Sequence, residues 1–361
     1  MKVQIQKSEL EARLRQLSAV TDKKNAIPAL SYIRLKAANG AITMTGRDTG
    51  AALIVPAKAT VLEDQNGAML LPVGMISAII ASLPQPEVFL ESTPEHVTLK
   101  CGRYTAKLTS LPAEAYPADH DTPDANLVDG LGLAGLQAII KKIDFSVPKS
   151  DGRSSVSVGL LHATGTELRA VGTDGNCLAI AQTQLEGQPF TLALPKEAFS
   201  LIQNLPCVDG SKISIGMTDV AYFFQTESAL LIVHKSSGDF PPYERILPTK
   251  HSTAITIGRE IFEQAISRAM PFVSDETKSL AFKSEENGKL LSIKAAAVTG
   301  LGSTDDVDVE SNGPAATFVA NGEALEAFIK SATDTVVIRT TSQSLDILSG
   351  PFFRFVLALE Q

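Results

Sequence analysis

The stretch LEARLRQL, residues 10–17, recurs in apolar outline as LQAIIKKI at 136–143 and as FEQAISRA at 262–269. Each copy is displaced from the previous one by 126 positions, and its apolar residues occupy positions i, i+4 and i+7. This spacing places them on one face of an α-helix, so each copy is predicted to be a helix that buries one stripe. The stripe residues are Leu10, Leu14 and Leu17; Leu136, Ile140 and Ile143; and Phe262, Ile266 and Ala269. The chain is therefore predicted to be a threefold repeat.

A second helix in each copy follows nearly the same interval. Its apolar pairs are Ile76 with Ile79, Phe199 with Ile202, and Leu325 with Phe328. Between the helices, segments with strand patterns are joined by turns at Asn39-Gly40, Thr164-Gly165 and Asn287-Gly288. Asn-Gly suits the positive φ angles of a type I′ hairpin turn. These patterns predict an α+β fold of three repeated domains, each with two helices and about eight strands.

The domain boundaries are expected in two polar, proline-bearing stretches, 117–129 and 248–253, because each precedes the first helix of a copy. The predicted domains are 1–122, 123–250 and 251–361. The repeat is far longer than the roughly 20–50 residues of a solenoid repeat. Each copy is therefore large enough to be a domain with its own core.

The composition is that of an ordinary globular protein with an acidic excess. Hydrophobic residues make up 44% of the chain, and 40 acidic against 32 basic residues give a net charge of −8. The most apolar stretch, residues 75–81, is far too short to span a bilayer, and no signal-peptide pattern occurs at 1–11, so we expect a cytoplasmic location without membrane partners. Three cysteines without C-x-x-C spacing indicate neither disulfides nor a zinc site.

No pattern typical of an enzyme withstands inspection. Gly130 to Gly135 matches G-x-G-x-x-G, but the polar, proline-bearing segment before it is not the buried strand that a dinucleotide fold requires. Asp305, Asp306, Asp308 and Glu310 resemble a metal cluster, but Val307 and Val309 alternate with the last two, which favours the acidic face of a strand over a metal site. The five histidines show no H-x-x-x-H pairing. We therefore expect no catalytic residue, no cofactor and no bound metal.

The exposed positions of the three first helices carry basic residues in every copy. They are Arg13 and Arg15, Lys141 and Lys142, and Arg259 and Arg268. Two interpretations stay open: an ordinary solvated surface of mixed charge, or a helix-lined basic surface that faces phosphate. An acidic protein can still meet DNA if its positive charge is confined to one surface.

Three short segments resemble motifs of the bacterial sliding clamps, the beta subunits of the replicative DNA polymerase. They are LTSLPA at 108–113, VGTDG at 171–175 and FPPYERILP at 240–248, and their order and spacing also match. The resemblance covers nearly the whole chain. It implies a head-to-tail homodimeric ring with the helices around a central hole, through which duplex DNA passes without sequence readout. It also implies a processivity factor that is not an enzyme.

The resemblance further implies three sets of functional residues. A hydrophobic cleft for short linear motifs of polymerase subunits, the clamp loader and repair proteins would comprise Val156, Thr173, Gly175, Leu178, Pro241, Arg245, Ile246, Leu357 and Leu359. The DNA-facing residues would be Arg15, Lys24, Lys141, Lys142, Lys149 and Arg268. The dimer interface would include Leu108, Phe272 and Val273. For Thr173-Asp174-Gly175, a plain turn between strands is the alternative interpretation.

A diverged scaffold with the clamp fold is the alternative function. Such a scaffold would bind protein partners without encircling DNA. The oligomeric state separates the two hypotheses, because a closed ring needs a dimer of about twice the chain mass. The peptide preference, the stability of the ring and the role as principal or second clamp stay open.

Overall fold

The apolar stripes become the buried faces of helices in the computed structural model of the chain. This structure describes residues 1–361 except 22–26, 64–65, 94, 120–121, 124–125, 149–157, 236–239, 275–277, 286–287, 297–300 and 360–361. Six α-helices lie within the described residues. They are α1 (Lys7–Leu17), α2 (Val73–Ile80), α3 (Leu133–Ile143), α4 (Lys196–Gln203), α5 (Arg259–Ala269) and α6 (Gly322–Ser331).

Twenty-six β-strands, most of them short, accompany these helices within the same described ranges. They are β1 (Lys2–Gln6), β2 (Tyr32–Ala38), β3 (Ala41–Arg47), β4 (Ala51–Pro56), β5 (Ala59–Glu63), β6 (Gly67–Pro72), β7 (Glu87–Ser92), β8 (His96–Cys101), β9 (Tyr104–Thr109), β10 (Asn126–Gly132), β11 (Val158–Ala163), β12 (Glu167–Thr173), β13 (Cys177–Gln184), β14 (Phe190–Pro195), β15 (Lys212–Met217), β16 (Ala221–Gln225), β17 (Leu230–His234), β18 (Thr253–Gly258), β19 (Ser279–Ser284), β20 (Leu290–Ala296), β21 (Gly302–Asp308), β22 (Glu310–Asn312), β23 (Thr317–Asn321), β24 (Thr335–Thr340), β25 (Ser344–Ser349) and β26 (Phe353–Ala358). Helices with antiparallel strands confirm the α+β prediction.

The predicted helical stripes are confirmed. All nine residues of the first-helix triplets are at most 2% exposed in α1, α3 and α5. In the second helices, Ile76, Phe199, Ile202, Leu325 and Phe328 are fully buried. The exception is Ile79, which is only half-buried, whereas Ile80 at i+4 from Ile76 is buried.

The hairpin turns also follow the sequence. Asn39 and Gly40 join β2 to β3 with φ angles of 52° and 77°, as a type I′ turn requires. At the equivalent turn of the third copy, Gly288 has φ of 69°, and Asn287 lies outside the described residues.

A glycine at one strand position of two copies lets a helix end approach the sheet closely. A Cβ on Gly172 in β12 would lie 2.3 Å from Ser146 Oγ, and a Cβ on Gly46 in β3 would lie 2.9 Å from the Leu17 carbonyl oxygen. The two glycines are 126 positions apart, the same interval as the helical stripes. Only a residue without a side chain permits this contact at either place.

The chain divides into two compact units, the first formed by Met1–Ala134 and Ser200–Lys235 and the second by Gly135–Phe199 and Ser236–Gln361. The first unit holds two sheets, with strand orders β5-β1-β7-β8-β9 and β10-β15-β16-β17-β4-β3-β2-β6. The second unit also holds two, with orders β14-β11-β12-β13-β26-β25-β24-β18-β22 and β21-β20-β19-β23. The pairs β17 with β4 and β13 with β26 join strands from different copies of the repeat. The three-domain division stays a prediction.

Candidate functional site

The turn after β12 is held by its own side chains. The Thr173 hydroxyl donates to the Cys177 carbonyl at 2.6 Å and accepts from the Gly175 amide at 3.2 Å. Asp174 Oδ1 accepts from the amides of Asn176 and Cys177 at 2.9 and 2.8 Å. Thr173 is only 6% exposed, and its one hydroxyl proton is committed to the turn. These bonds fit the interpretation of residues 173–175 as a turn between strands, and the place of Thr173 in a peptide-binding cleft stays a prediction.

An apolar patch, called the floor here and defined by Leu178 and Val356, lies beside this turn. Leu178 pairs with Thr173 on β12 and with Val356 on β26, so the three side chains project from the same face of the nine-stranded sheet. Leu178 and Val356 belong to a buried cluster with Leu160, Val171, Ile180 and Tyr243.

Leu357 does not lie on this floor. It pairs with Cys177 and Leu345, and it projects from the opposite face because successive strand residues alternate between the two faces. Val356, rather than Leu357, therefore lies beside Leu178 on this face.

A 3₁₀ turn, Tyr243–Ile246, stands beside the floor and forms a wall, because Tyr243 packs in the same buried cluster as Leu178 and Val356. The buried Tyr243 hydroxyl hydrogen-bonds His162 Nδ1 at 2.9 Å and accepts from Arg169 at 3.2 Å. Burial is the main cause that raises the pKa of Tyr243, although the Arg169 guanidinium opposes the shift. Pro241, Arg245 and Ile246 are exposed beside this anchor, with Ile246 at 59%. The wall therefore offers solvent an aliphatic group and a positive charge.

A cavity of about 640 Å³ adjoins the turn on the side of α6. Its lining residues are Phe145, Asp174, Asn176, Cys177, Lys278, Asn321, Glu323, Ala324, Ala327, Leu357, Ala358 and Leu359. At its polar end Lys278 Nζ donates to Glu323 Oε2 at 2.7 Å. Leu357 and Leu359 thus contribute to this cavity.

Cys177 is an inert member of the cavity wall. Burial raises the pKa of the Cys177 thiol, and the neighbouring Asp174 carboxylate raises it further. A thiol held in its neutral form is a poor nucleophile.

The predicted DNA-facing residues have different environments. Arg15 is 82% exposed with Glu11 3.7 Å away, and Lys141 is also exposed. Lys142 is half-buried with its ammonium 5.4 Å from the centre of the Phe353 ring, and Arg268 forms an ion pair with Asp305 at 2.5 Å. The remaining two, Lys24 and Lys149, lie outside the described residues.

Arg13, a basic position of α1, does not face solvent. Its side chain is 16% exposed and bonded to Glu9 at 2.9 Å. The Arg13 and Lys58 contacts hold the pKa of Glu9 below its usual range, although burial opposes them. The basic surface is therefore smaller than the sequence suggested.

The predicted interface residues also differ in exposure. Phe272 is 37% exposed and Val273 is half-buried, but Leu108 is only 3% exposed because it packs inside its own sheet in β9. Leu108 can therefore support an interface by packing under exposed residues, but its own side chain is covered in the single chain.

Among the described residues no group of three or more His, Cys, Asp or Glu side chains could hold a metal ion. The acidic segment forms β21 and β22, in which Asp306, Asp308 and Glu310 are exposed, whereas Val307 and the intervening Val309 are buried. No helix of the described chain is both long and apolar enough to cross a membrane.

Val156 of the predicted cleft lies outside the described residues. The sequence analysis missed Asp346, a fully buried carboxylate in β25 bonded to Arg339, Arg354 and His251. The signal available was an acidic residue inside the apolar strand Leu345-Asp346-Ile347.

Solved structures define the class of protein. A DNA polymerase sliding clamp from Bacillus subtilis matches with a TM-score of 0.93 and 17% identity over 100% of this chain and 99% of that one. A sliding clamp from Pseudomonas aeruginosa bound to griselimycin matches with a TM-score of 0.91 and 21% identity over 100% and 99%. The chain therefore has the DNA clamp fold.

Sequence comparison agrees with this fold. Residues 1–120 match the family described as DNA polymerase III beta subunit, N-terminal domain. The beta sliding clamp of Vibrio cholerae is 29% identical over 301 residues, which cover 80% of this chain and 79% of that protein. Over most of its length the chain is therefore similar to the bacterial beta sliding clamps.

Proposed function

We propose that this chain is a non-catalytic processivity clamp that closes into a head-to-tail ring of two chains and encircles duplex DNA. The observation that carries the proposal is the opposite charge of two sheet edges. The strand β9 ends the five-stranded sheet of the first unit, and β21 ends the four-stranded sheet of the second. An edge strand offers unpaired N–H and C=O groups to another chain.

The side chains of the two edges are complementary. In and beside β9, Arg103 and Lys107 are exposed while Leu108 is buried. In β21, Asp306 and Asp308 are exposed while Val307 is buried. Pairing β9 of one chain with β21 of another would align basic with acidic outer faces and apolar with apolar inner faces. Because the two edges differ, the contact is heterologous and closes only if the second copy returns the same contact.

DNA would be held mainly by enclosure. Arg15, Lys141 and Arg268 are exposed among the proposed DNA-facing residues of known placement. Arg15 and Arg268 each lie beside a carboxylate, and Lys142 is half-buried against Phe353. Few phosphate contacts imply weak, salt-sensitive and sequence-independent binding that allows sliding.

Partner proteins would bind through short peptides at the cleft of the second unit. The exposed Pro241 and Ile246 suit aliphatic or aromatic anchors, the buried Leu178 and Val356 support them from below, and Arg245 can fix peptide direction. The adjoining cavity lined by Leu357 and Leu359 can take the flanking part of the peptide. Polymerase subunits, the clamp loader and repair proteins are the proposed partners.

The decisive experiment compares circular with linear DNA. A clamp loaded on nicked circular duplex should co-elute with that DNA in gel filtration at high salt. Cutting the circle once should release the protein, because a ring slides off an end. Phe272→Glu, which places a charge at the proposed interface, should abolish retention.

The competing hypothesis is a diverged scaffold with the clamp fold. A scaffold that binds peptides without encircling DNA would not be retained on the circle, whether cut or uncut, and would be monomeric in sedimentation. The proposal also includes the three predicted domains, 1–122, 123–250 and 251–361, and a cytoplasmic location.

A further inference from the structure

A buried ionic cluster continues the row of residues that forms the cleft floor. Leu178 pairs with Val356, and Val356 pairs with Asp346, so all three project from one face of the nine-stranded sheet. Two steps of about 4.8 Å between strands place Asp346 roughly 10 Å from Leu178. Asp346 is fully buried, so it cannot touch a peptide itself.

Three cationic or polar donors converge on the Asp346 carboxylate. Arg354 Nε donates to Oδ1 at 2.7 Å, and His251 Nε2 lies 2.7 Å from Oδ2. Arg339 donates to the same Oδ2. A carboxylate buried in this way is stable only while its partners keep their geometry, so the cluster has one preferred arrangement.

Two of these three donors also hold the connector, defined here as residues 243–252. Arg354 donates a further hydrogen bond to the Pro248 carbonyl at 2.9 Å, and His251 belongs to the connector. The backbone amide of Ser252 donates to the Thr340 carbonyl at 2.9 Å. At the other end, Tyr243 is bonded to His162 and Arg169. Arg245 and Ile246 lie between these two anchors.

We propose that Asp346 is a positioning residue that sets the place of the Ile246 wall through Arg354 and His251. The inference rests on the proposed peptide-binding function of the cleft. Ile246 is 59% exposed and has little packing of its own, so the anchors at either side decide its position. Loss of the Arg354 and His251 contacts lets the Ile246 wall move away from the floor. Binding of a peptide that contacts Ile246 is then weaker.

The chain provides a matched control. Arg339 and Arg354 are similarly exposed, at 26% and 27%, and both donate to Asp346, but Arg339 has no hydrogen bond to the connector among those of the described residues. Arg339→Met and Arg354→Met therefore disturb the same carboxylate, and only the second also releases Pro248. His251→Ala removes the other connector bond.

The experiment measures peptide affinity and amide hydrogen exchange on the full chain. The probe is a peptide with a Gln followed by aliphatic and aromatic anchors, titrated by calorimetry. Arg354→Met and His251→Ala should weaken binding about three- to tenfold and speed exchange at 245–247 to a similar degree, whereas Arg339→Met should change both less than about twofold. All three variants should lower the unfolding midpoint. Arg354→Lys, which keeps the charge, serves if Arg354→Met does not fold.

Equal effects of the Arg339 and Arg354 variants on affinity would overturn the proposal, since general destabilisation would then explain both. Unchanged exchange at 245–247 in the Arg354 and His251 variants would also overturn it. If the wild-type chain binds no peptide, the proposed function of the cleft fails, and the exchange measurement still decides whether Asp346 positions the connector.

Discussion

Reversing the charges of the two edge strands separately should break the ring, and mixing the two variants should restore it. One variant carries Arg103→Glu and Lys107→Glu, which makes both edges of a chain acidic. The other carries Asp306→Lys and Asp308→Lys, which makes both edges basic. Each variant alone brings like charges together at both interfaces of a dimer. A mixed dimer brings opposite charges together at both, because the contact is head-to-tail.

The magnitude follows from the exposure of these side chains. All four are exposed in the single chain, so each cross-strand pair is expected to contribute about 0.2–1 kcal/mol. Two pairs at each of two interfaces give about 1–4 kcal/mol, or a roughly five- to several-hundred-fold weaker dimer. The effect should shrink with salt, because the Debye length falls from about 10 Å at 0.1 M to about 3 Å at 1 M.

Sedimentation velocity over a range of protein concentrations gives the dimerisation constant of each sample. The expected result is a monomer for each variant alone and a dimer for the equimolar mixture at the same total concentration. The reasoning is refuted if each variant alone dimerises like the wild type, or if the mixture stays monomeric while both variants remain folded by circular dichroism.

Three further predictions concern single positions. Ile246→Asp should weaken peptide binding about tenfold in calorimetry with little change in the unfolding midpoint, because the side chain is exposed; an unchanged affinity would place the partner site elsewhere. In native protein near pH 8, a thiol reagent should label Cys207 rapidly and Cys177 slowly, because Cys207 is exposed and burial raises the pKa of Cys177; rapid labelling of both would contradict this environment. Gly172→Ala should lower the free energy of unfolding in urea by about 1–3 kcal/mol, since its Cβ would clash with Ser146. Gly74→Ala, on the exposed face of α2, should raise the free energy of unfolding by about 0.5–1 kcal/mol. Equal effects of the two variants would show that the close approach at Gly172 does not matter.

The sequence alone determined the repeat, the helices and the fold class. The stripe of Leu10, Leu14 and Leu17 and its two copies predicted which helix faces are buried, because the helical period is a local property of the chain. Asn39-Gly40 predicted a hairpin turn for the same reason, since its φ preferences need no distant contact.

Only the tertiary structure decided which residues share a face at the proposed cleft. Val356 rather than Leu357 joins Leu178 on the floor, because a shift of one residue in a strand reverses the face and the pairing of β13 with β26 sets that register. The Thr173 hydroxyl is committed to its own turn, which residue type alone does not reveal.

The ionic cluster around Asp346 likewise depends on contacts between distant parts of the chain. His251, Arg339, Asp346 and Arg354 are spread over 104 positions of the sequence, and the pairing of β24, β25 and β26 brings them to one carboxylate. Local periodicity fixes which face a side chain leaves from, but contacts between distant strands depend on register and closure of the whole sheet. The sequence therefore determined the scaffold, and the tertiary structure decided the site.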